Sequence, residues 1–207
     1  MPGTPVAGTA PAPSTSESTR PSAQPGALVP GWQPVHSDKR NASFDSPPSW
    51  EVKPDSVIIG FESGRAIVAG SGSATFRNGF CPSKPSADRG LAVLTSSSMK
   101  DLGAAATDSA ERWADLGYRD DAEKPPQLTP EPPTPLRTIS GLDAMAAKVT
   151  AKPASVGPCG SPTGVVRVLA ASIQGATVVL VVVTDAGVPD GAPEADVQQI
   201  LTTLRLG

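Results

Sequence analysis

Val165-Val166-Arg167-Val168-Leu169-Ala170-Ala171-Ser172-Ile173 runs into Gln174-Gly175 and out again as Ala176-Thr177-Val178-Val179-Leu180-Val181-Val182-Val183-Thr184. Two β-rich runs separated by a dipeptide ending in Gly read as a tight hairpin of two buried strands. Downstream, Pro193 suits the first turn of a helix, and Glu194 and Asp196 suit the positive end of its dipole. Val197, Ile200, Leu201 and Leu204 then follow at i, i+3, i+4 and i+7, which predicts a helix across the hairpin's apolar face.

Working back from the hairpin, Gly141 to Ala151 reads as a further strand. Residues 120–136 hold Pro125, Pro126, Pro130, Pro132, Pro133 and Pro135, a density that predicts no regular structure. The segment is either a long surface loop or a linker between two small domains. The loop is favoured, because neither half alone closes a sheet. Before it, Leu102, Ala106, Ala110, Trp113 and Gly117 recur at helical spacing, with Ser97, Ser98 or Asp101 available as the cap. Trp113 is the bulky side chain expected to anchor this helix on the sheet. Leu91 to Leu94 reads as a strand, and Val57 to Phe61 pairs with Arg65 to Ala69 across Ser63-Gly64. Short runs at Ser43-Phe44-Asp45 and Trp50-Glu51-Val52 complete the sheet, with Trp32 and Trp50 expected in the core. Hairpins with two main helices on one side make an α+β antiparallel layer, not a parallel α/β sheet. The domain is expected over residues 32–207.

Residues 1–31 are rich in Pro, Ala, Ser and Thr and carry only Glu17 and Arg20 as charges. Such a segment cannot bury enough apolar surface to offset its ordering entropy. A disordered, semi-extended tether is expected there, reaching at most about 3.1 Å per residue. No apolar run approaches the roughly 20 residues of a membrane helix. The start of the chain has neither the charged nor the apolar region of a signal peptide. A membrane anchor or signal upstream of Met1 is therefore expected, with the tether leading from it.

The net charge of −3 and the absence of any Lys/Arg cluster argue against nucleic acid, whose phosphates need a basic face. Cys81 and Cys159 have no metal-motif spacing, and one histidine cannot complete a site. A disulfide is the economical reading, and it places the chain outside the cytoplasm.

Candidate chemistry is sparse. A Ser/His/Asp hydrolase would have to use His36, yet there is no Gly-x-Ser-x-Gly elbow to present a nucleophile. Thr95-Ser96-Ser97-Ser98 offers hydroxyls, but its place before a helix favours capping. Asp185 to Gly191 has the outline of a calcium loop without its alternating ligands or closing Glu, so it reads as a strand-to-helix turn. Glu111, Asp115, Asp120 and Asp121 read as a solvated acidic face. Asn41-Ala42-Ser43 is a glycosylation sequon that matters only in a source that modifies secreted proteins. No catalytic, cofactor-binding or metal residue is assigned, and no cofactor is expected.

The order of Ser43-Phe44-Asp45, Pro47-Pro48 and Trp50-Glu51-Val52 resembles the opening of PsbP-like domains, an aromatic strand followed by Pro and Trp-x-Val. The strand from Gly141, the hairpin at Gln174-Gly175 and the helix through Leu204 resemble that family's closing pattern. The likeness extends to membrane-tethered actinobacterial domains behind Pro/Thr/Ser spacers. It implies a binding or accessory role, as relatives dock on photosystem II or bind a small GTPase, and it supplies no catalytic residues. The expected function is a non-catalytic extracytoplasmic domain that binds a protein or envelope component. The ligand-binding ectodomain of a signalling protein is the alternative, and a cell-wall hydrolase comes third. A deep pocket with converging polar groups favours the second or third reading; a shallow apolar surface favours the first.

Overall fold

The structure, a computed structural model, describes residues 26–207; the tether expected over 1–31 lies outside the described residues up to position 25. Eleven strands and two helices follow in the order β1 (Gln33–Ser37), β2 (Ala42–Ser46), β3 (Trp50–Lys53), β4 (Ile59–Ser63), β5 (Ala66–Phe76), β6 (Gly90–Ser97), α1 (Leu102–Gly117), β7 (Gln127–Arg137), β8 (Asp143–Lys152), β9 (Thr163–Ile173), β10 (Ala176–Ala186), α2 (Glu194–Thr202) and β11 (Arg205–Leu206). The main sheet is antiparallel in the order β3-β5-β6-β10-β9-β8-β7, with β4 paired to the first half of β5. A second sheet has the order β1-β2-β11. The fold is α+β, as the sequence predicts.

At its centre, β9 and β10 pair from Ile173↔Ala176 to Thr163↔Ala186. Gln174 and Gly175 turn the hairpin with φ of 50° and 80°, the backbone a two-residue turn between right-twisted strands needs. Side chains of β9 and β10 alternate between two cores. Val166, Val168, Ala170, Val179, Val181 and Val183 meet Ala106, Ala110 and Trp113 of α1. Leu169, Ala171, Leu180 and Val182 meet Val197, Ile200 and Leu201 of α2, together with Val35 and Phe44 of the small sheet. The two helices therefore lie on opposite faces, not on one side as expected. A hairpin that is apolar on both faces needs a layer on each.

The proline-rich loop expected at 120–136 is a strand for most of its length. β7 forms the sheet's outer edge, pairing Gln127↔Lys152 through Arg137↔Asp143. A bulge inserts one extra residue at Pro132-Pro133, between the pairs Glu131↔Lys148 and Thr134↔Ala146. Pro130 faces Val149 and Pro135 faces Met145, positions four apart on β8. Both prolines thus occupy the same kind of pair, one in which the ladder requires no N–H of them. An edge strand tolerates proline because its outer row of N–H groups has no partner to lose. β7 thus lies in the same sheet as β6 and β10.

Other boundaries shift for local reasons. The strand expected from Gly141 starts at Asp143, because Gly141 (φ 87°) closes a turn by donating its N–H to the Thr138 carbonyl. β5 runs on to Phe76 through a bulge at Gly72, whose φ of 64° and contact with the His36 carbonyl leave no room for a side chain. The cap of α1 is Asp101, whose carboxylate accepts from the Ala104 N–H at 2.7 Å. Thr95, Ser96 and Ser97 instead belong to β6.

Ordered packing begins before the expected boundary at residue 32. The Asp45 carboxylate, fully buried, accepts from the Leu28 and Val29 N–H groups at 2.6 and 2.9 Å. Its other oxygen lies 2.8 Å from Arg205 Nη1 of β11. This pair joins the entry segment, β2 and the last strand. Trp50 and Trp113 are core residues on opposite faces of the sheet, and Trp32 packs partly buried against the core that holds Trp50.

Cys81 and Cys159 are joined, their Cα atoms 5.8 Å apart. The bridge ties the loop before β6 to the loop before β9. Replacing both cysteines by serine is expected to lower stability by on the order of 4 kcal/mol, the loop-entropy term for a ring of this size. Urea unfolding of the oxidised protein and the double variant checks this; coincident midpoints would show that the bridge does not constrain the unfolded chain.

Candidate functional site

On the α1 face of the sheet, α1 stops short of the strand ends and leaves part of the surface uncovered. A cleft of about 700 Å³ opens there. Its floor is Thr75 of β5, Leu91 of β6 and Val183 of β10, beside Lys53 of β3. Ile59 to Glu62 of β4 form one wall, and Leu116 to Asp121, at and beyond the end of α1, form the other. Lys84 to Arg89, the end of the disulfide-tied loop, close the rim. A second hollow of about 370 Å³ continues on the far side of Asp88, Tyr118 and Asp185, towards Cys159 and Val156.

Where the two hollows meet, the chain concentrates its buried polar groups. Arg89 Nη1 donates to Asp185 Oδ2 at 2.8 Å and to the Cys159 carbonyl at 3.2 Å. Its Nε lies 3.1 Å from Asp190 Oδ1, and its guanidinium stacks 3.9 Å from the Phe80 ring centre. Burial works against the Arg89 charge, but the hydrogen bonds to Asp185 and Asp190 prevail and raise its pKa. Tyr118, the only tyrosine, donates to the Thr184 carbonyl at 2.7 Å and reaches Asp185 Oδ1 at 3.3 Å. Burial and the neighbouring Asp185 hold its phenol protonated, well above the usual range. Burial also raises Asp185, against the pull of Arg89.

Asp88 stands apart. Burial, and next the charge of Asp185, push its carboxyl from 3.8 up to about 7, and only Lys53 pulls the other way. Its environment supplies no hydrogen bond to hold the charged form.

The residues considered from sequence fall elsewhere or change role. His36 sits on β1 with Nδ1 2.8 Å from Ser43 Oγ and Nε2 2.8 Å from Asp38 Oδ1. That arrangement reverses the ring nitrogens of a serine hydrolase, in which the hydroxyl faces Nε2. Ser43 is buried in the middle strand of the small sheet, and neither hollow includes His36. Asp185 and Asp190 of the calcium-like segment pair with Arg89, and the segment joins the end of β10 to α2. Of the acidic stretch, Asp115 pairs with Arg119 at 2.7 Å. Asp120 is no part of a solvated face: it is buried, and accepts from the N–H groups of Lys124 and Ala122 and from Ser155 Oγ. Those bonds hold its carboxyl below the usual range.

Lys53, Thr75, Asp88 and Tyr118 carried no signal as a set, being far apart in the chain. One clue was present: Asp88-Arg89 abuts the fully apolar run Leu91 to Leu94, an uncommon place for two charges.

Because the native state holds a proton on Asp88 that the unfolded chain sheds near pH 4, stability falls as pH rises from about 4 to about 7. Asp88→Asn removes that penalty. The variant is expected to match the parent at pH 3 and to exceed it at pH 8 by on the order of 4 kcal/mol in urea unfolding. An equal difference at both pH values would mean that Asp88 titrates like an exposed carboxylate.

Among solved structures, the chain is similar to cyanobacterial PsbP (CyanoP) from Synechocystis sp. PCC 6803, at 12% identity and a TM-score of 0.48, over 90% of this chain and 98% of that one. The likeness is to the course of the chain and assigns no ligand. No curated protein matches. Residues 25–207, which include every described residue, match one family across both sheets and the cleft, and the protein belongs to that family, the domain of unknown function DUF8017.

Proposed function

We propose that this chain is a non-catalytic binding domain held outside the cytoplasm, and that the cleft between β4 and the end of α1 receives its ligand. The observation that carries the reading is the convergence of Asp88, Lys53, Thr75 and Tyr118 on a half-enclosed space with an apolar floor. Such a cleft favours a ligand-binding ectodomain over docking on a flat apolar surface. The exposed large apolar side chains Ile58, Ile67, Ile139 and Val156 are spread over separate elements. The buried Ser43 and the reversed His36 ring speak for binding rather than hydrolysis. The Cys81–Cys159 bridge suits an oxidising compartment. No helix among the described residues is long and apolar enough to cross a membrane, so tethering would depend on a segment other than these helices.

Ser86 lines the cleft from an exposed position, so Ser86→Trp would fill the space without disturbing the core. A small-molecule fraction of cell-envelope extract is expected to raise the melting temperature of the parent and not of Ser86→Trp. A ligand at a hundredfold excess over its Kd adds about 2.7 kcal/mol. An equal rise in both proteins would move the site elsewhere, and no rise in either would count against a small ligand and favour surface docking.

A further inference from the structure

If the cleft is a ligand site, its uncompensated charge decides what it takes. Among the described residues, Arg89 is held by Asp185 and Asp190, Arg119 by Asp115, and Lys53 by Glu51. Glu62, Asp88, Asp121 and Glu123 line the same space with no ion pair among the described residues, leaving Lys84 as the one lining cation without a carboxylate. An independent sign comes from the floor. Thr75 is 1% exposed and lines the cleft, yet its Oγ1 has no hydrogen-bond partner. Buried hydroxyls are ordinarily satisfied, and one left open beside a cavity marks a place for a polar group. No set of three metal-ligating side chains converges among the described residues, so an inorganic ion lacks its ligands. Ile59 and Phe61 of β4 instead offer partly exposed apolar surface beside the carboxylate, above the buried Leu91 and Val183.

We propose that the cleft binds an organic cation, an amine or guanidinium on an apolar body, with its charged head at Asp88 and its body against Ile59 and Phe61. The resting state of Asp88 agrees with this. A carboxyl titrating near 7 is ionised by an arriving cation and releases a proton, so affinity rises from pH 6 to pH 8. The groups around Asp88 are Asp185 of β10, Lys53 of β3, Tyr118 after α1, Glu62 of β4 on the opposite wall and its neighbour Arg89. Tyr118 stays protonated throughout that range, and Asp185 and Lys53 are already committed to Arg89 and Glu51. Such a cation could be a free amine or the side chain of a peptide, and the same chemistry would hold either.

The test is an amide-resonance titration of the full chain with phenethylamine and agmatine as cations, 2-phenylethanol as the neutral match and phenylacetate as the anion. The peptide acetyl-Leu-Arg-Leu-amide serves as the second source. The cations are expected to shift the amides of Gly60, Gly90 and Gly117, to bind more tightly at pH 8 than at pH 6, and to lose about tenfold in affinity in Asp88→Asn. Tighter binding of the peptide than of the free amines would assign the source to a protein side chain, and the reverse to a small amine. If 2-phenylethanol or phenylacetate shifts the same amides as strongly as phenethylamine, the cleft remains a ligand site and the cation proposal is overturned. If no probe of any charge moves these amides, the ligand site itself is overturned.

Discussion

The β9–β10 hairpin is apolar on both faces, and the rest of the molecule is arranged to keep both faces from water. Val166, Val168, Val179 and Val181 look one way, and Leu169, Leu180 and Val182 the other. Burying a side chain of this kind contributes roughly 1.5–3 kcal/mol, so neither face can be left open. One long helix covers the first face. The second needs more area than α2 provides, since α2 has only nine residues. The small sheet β1-β2-β11 completes that cover with Val35 and Phe44.

That second cover is assembled from the two ends of the described chain, and it is held by a charge pair rather than by area alone. Asp45 collects two N–H groups from the entry segment and Arg205 from the exit, while its own N–H is received by Thr203 Oγ1 at 2.8 Å. Buried ion pairs add little net stability against an apolar alternative, but they reject misplaced partners strongly. Here the pair fixes which strand lies beside β2 and where the chain enters the fold. The disulfide acts instead on two loops, the one before β6 and the one before β9.

The cleft follows from the unequal lengths of these layers. α1 packs mainly on β7 to β10 and touches β4 and β5 more lightly, and the hollow between its end and β4 is lined by Lys53, the buried Thr75 and the ends of β6 and β10. The Arg89 network walls this gap and shares the carbonyl of Cys159 with the disulfide-tied loop. Covalent staple and charge network therefore stabilise one rim. Asp88 is the carboxylate that this arrangement half-buries without a donor.

The sequence by itself determined the central hairpin, the helix anchored by Trp113, the helix after Pro193, the α+β class and the pairing of Cys81 with Cys159. Each of these is set by periodicity, turn chemistry or the simple presence of two cysteines, properties that act over a few residues or need no geometry. Tertiary structure decided the rest. Proline content excluded a strand at 127–137 only on the assumption of a central position, and edge placement removed that objection. The sides of the helices depended on the sheet's two-faced burial, which the valine runs implied but did not assign to either helix. β11 is two residues long, too short for any pattern, and is defined only by its pairing with β2, beside the Arg205–Asp45 pair. The site was least legible of all. Lys53, Thr75, Asp88, Tyr118 and Asp185 come from five separate segments, and only the folded sheet brings their side chains around one space.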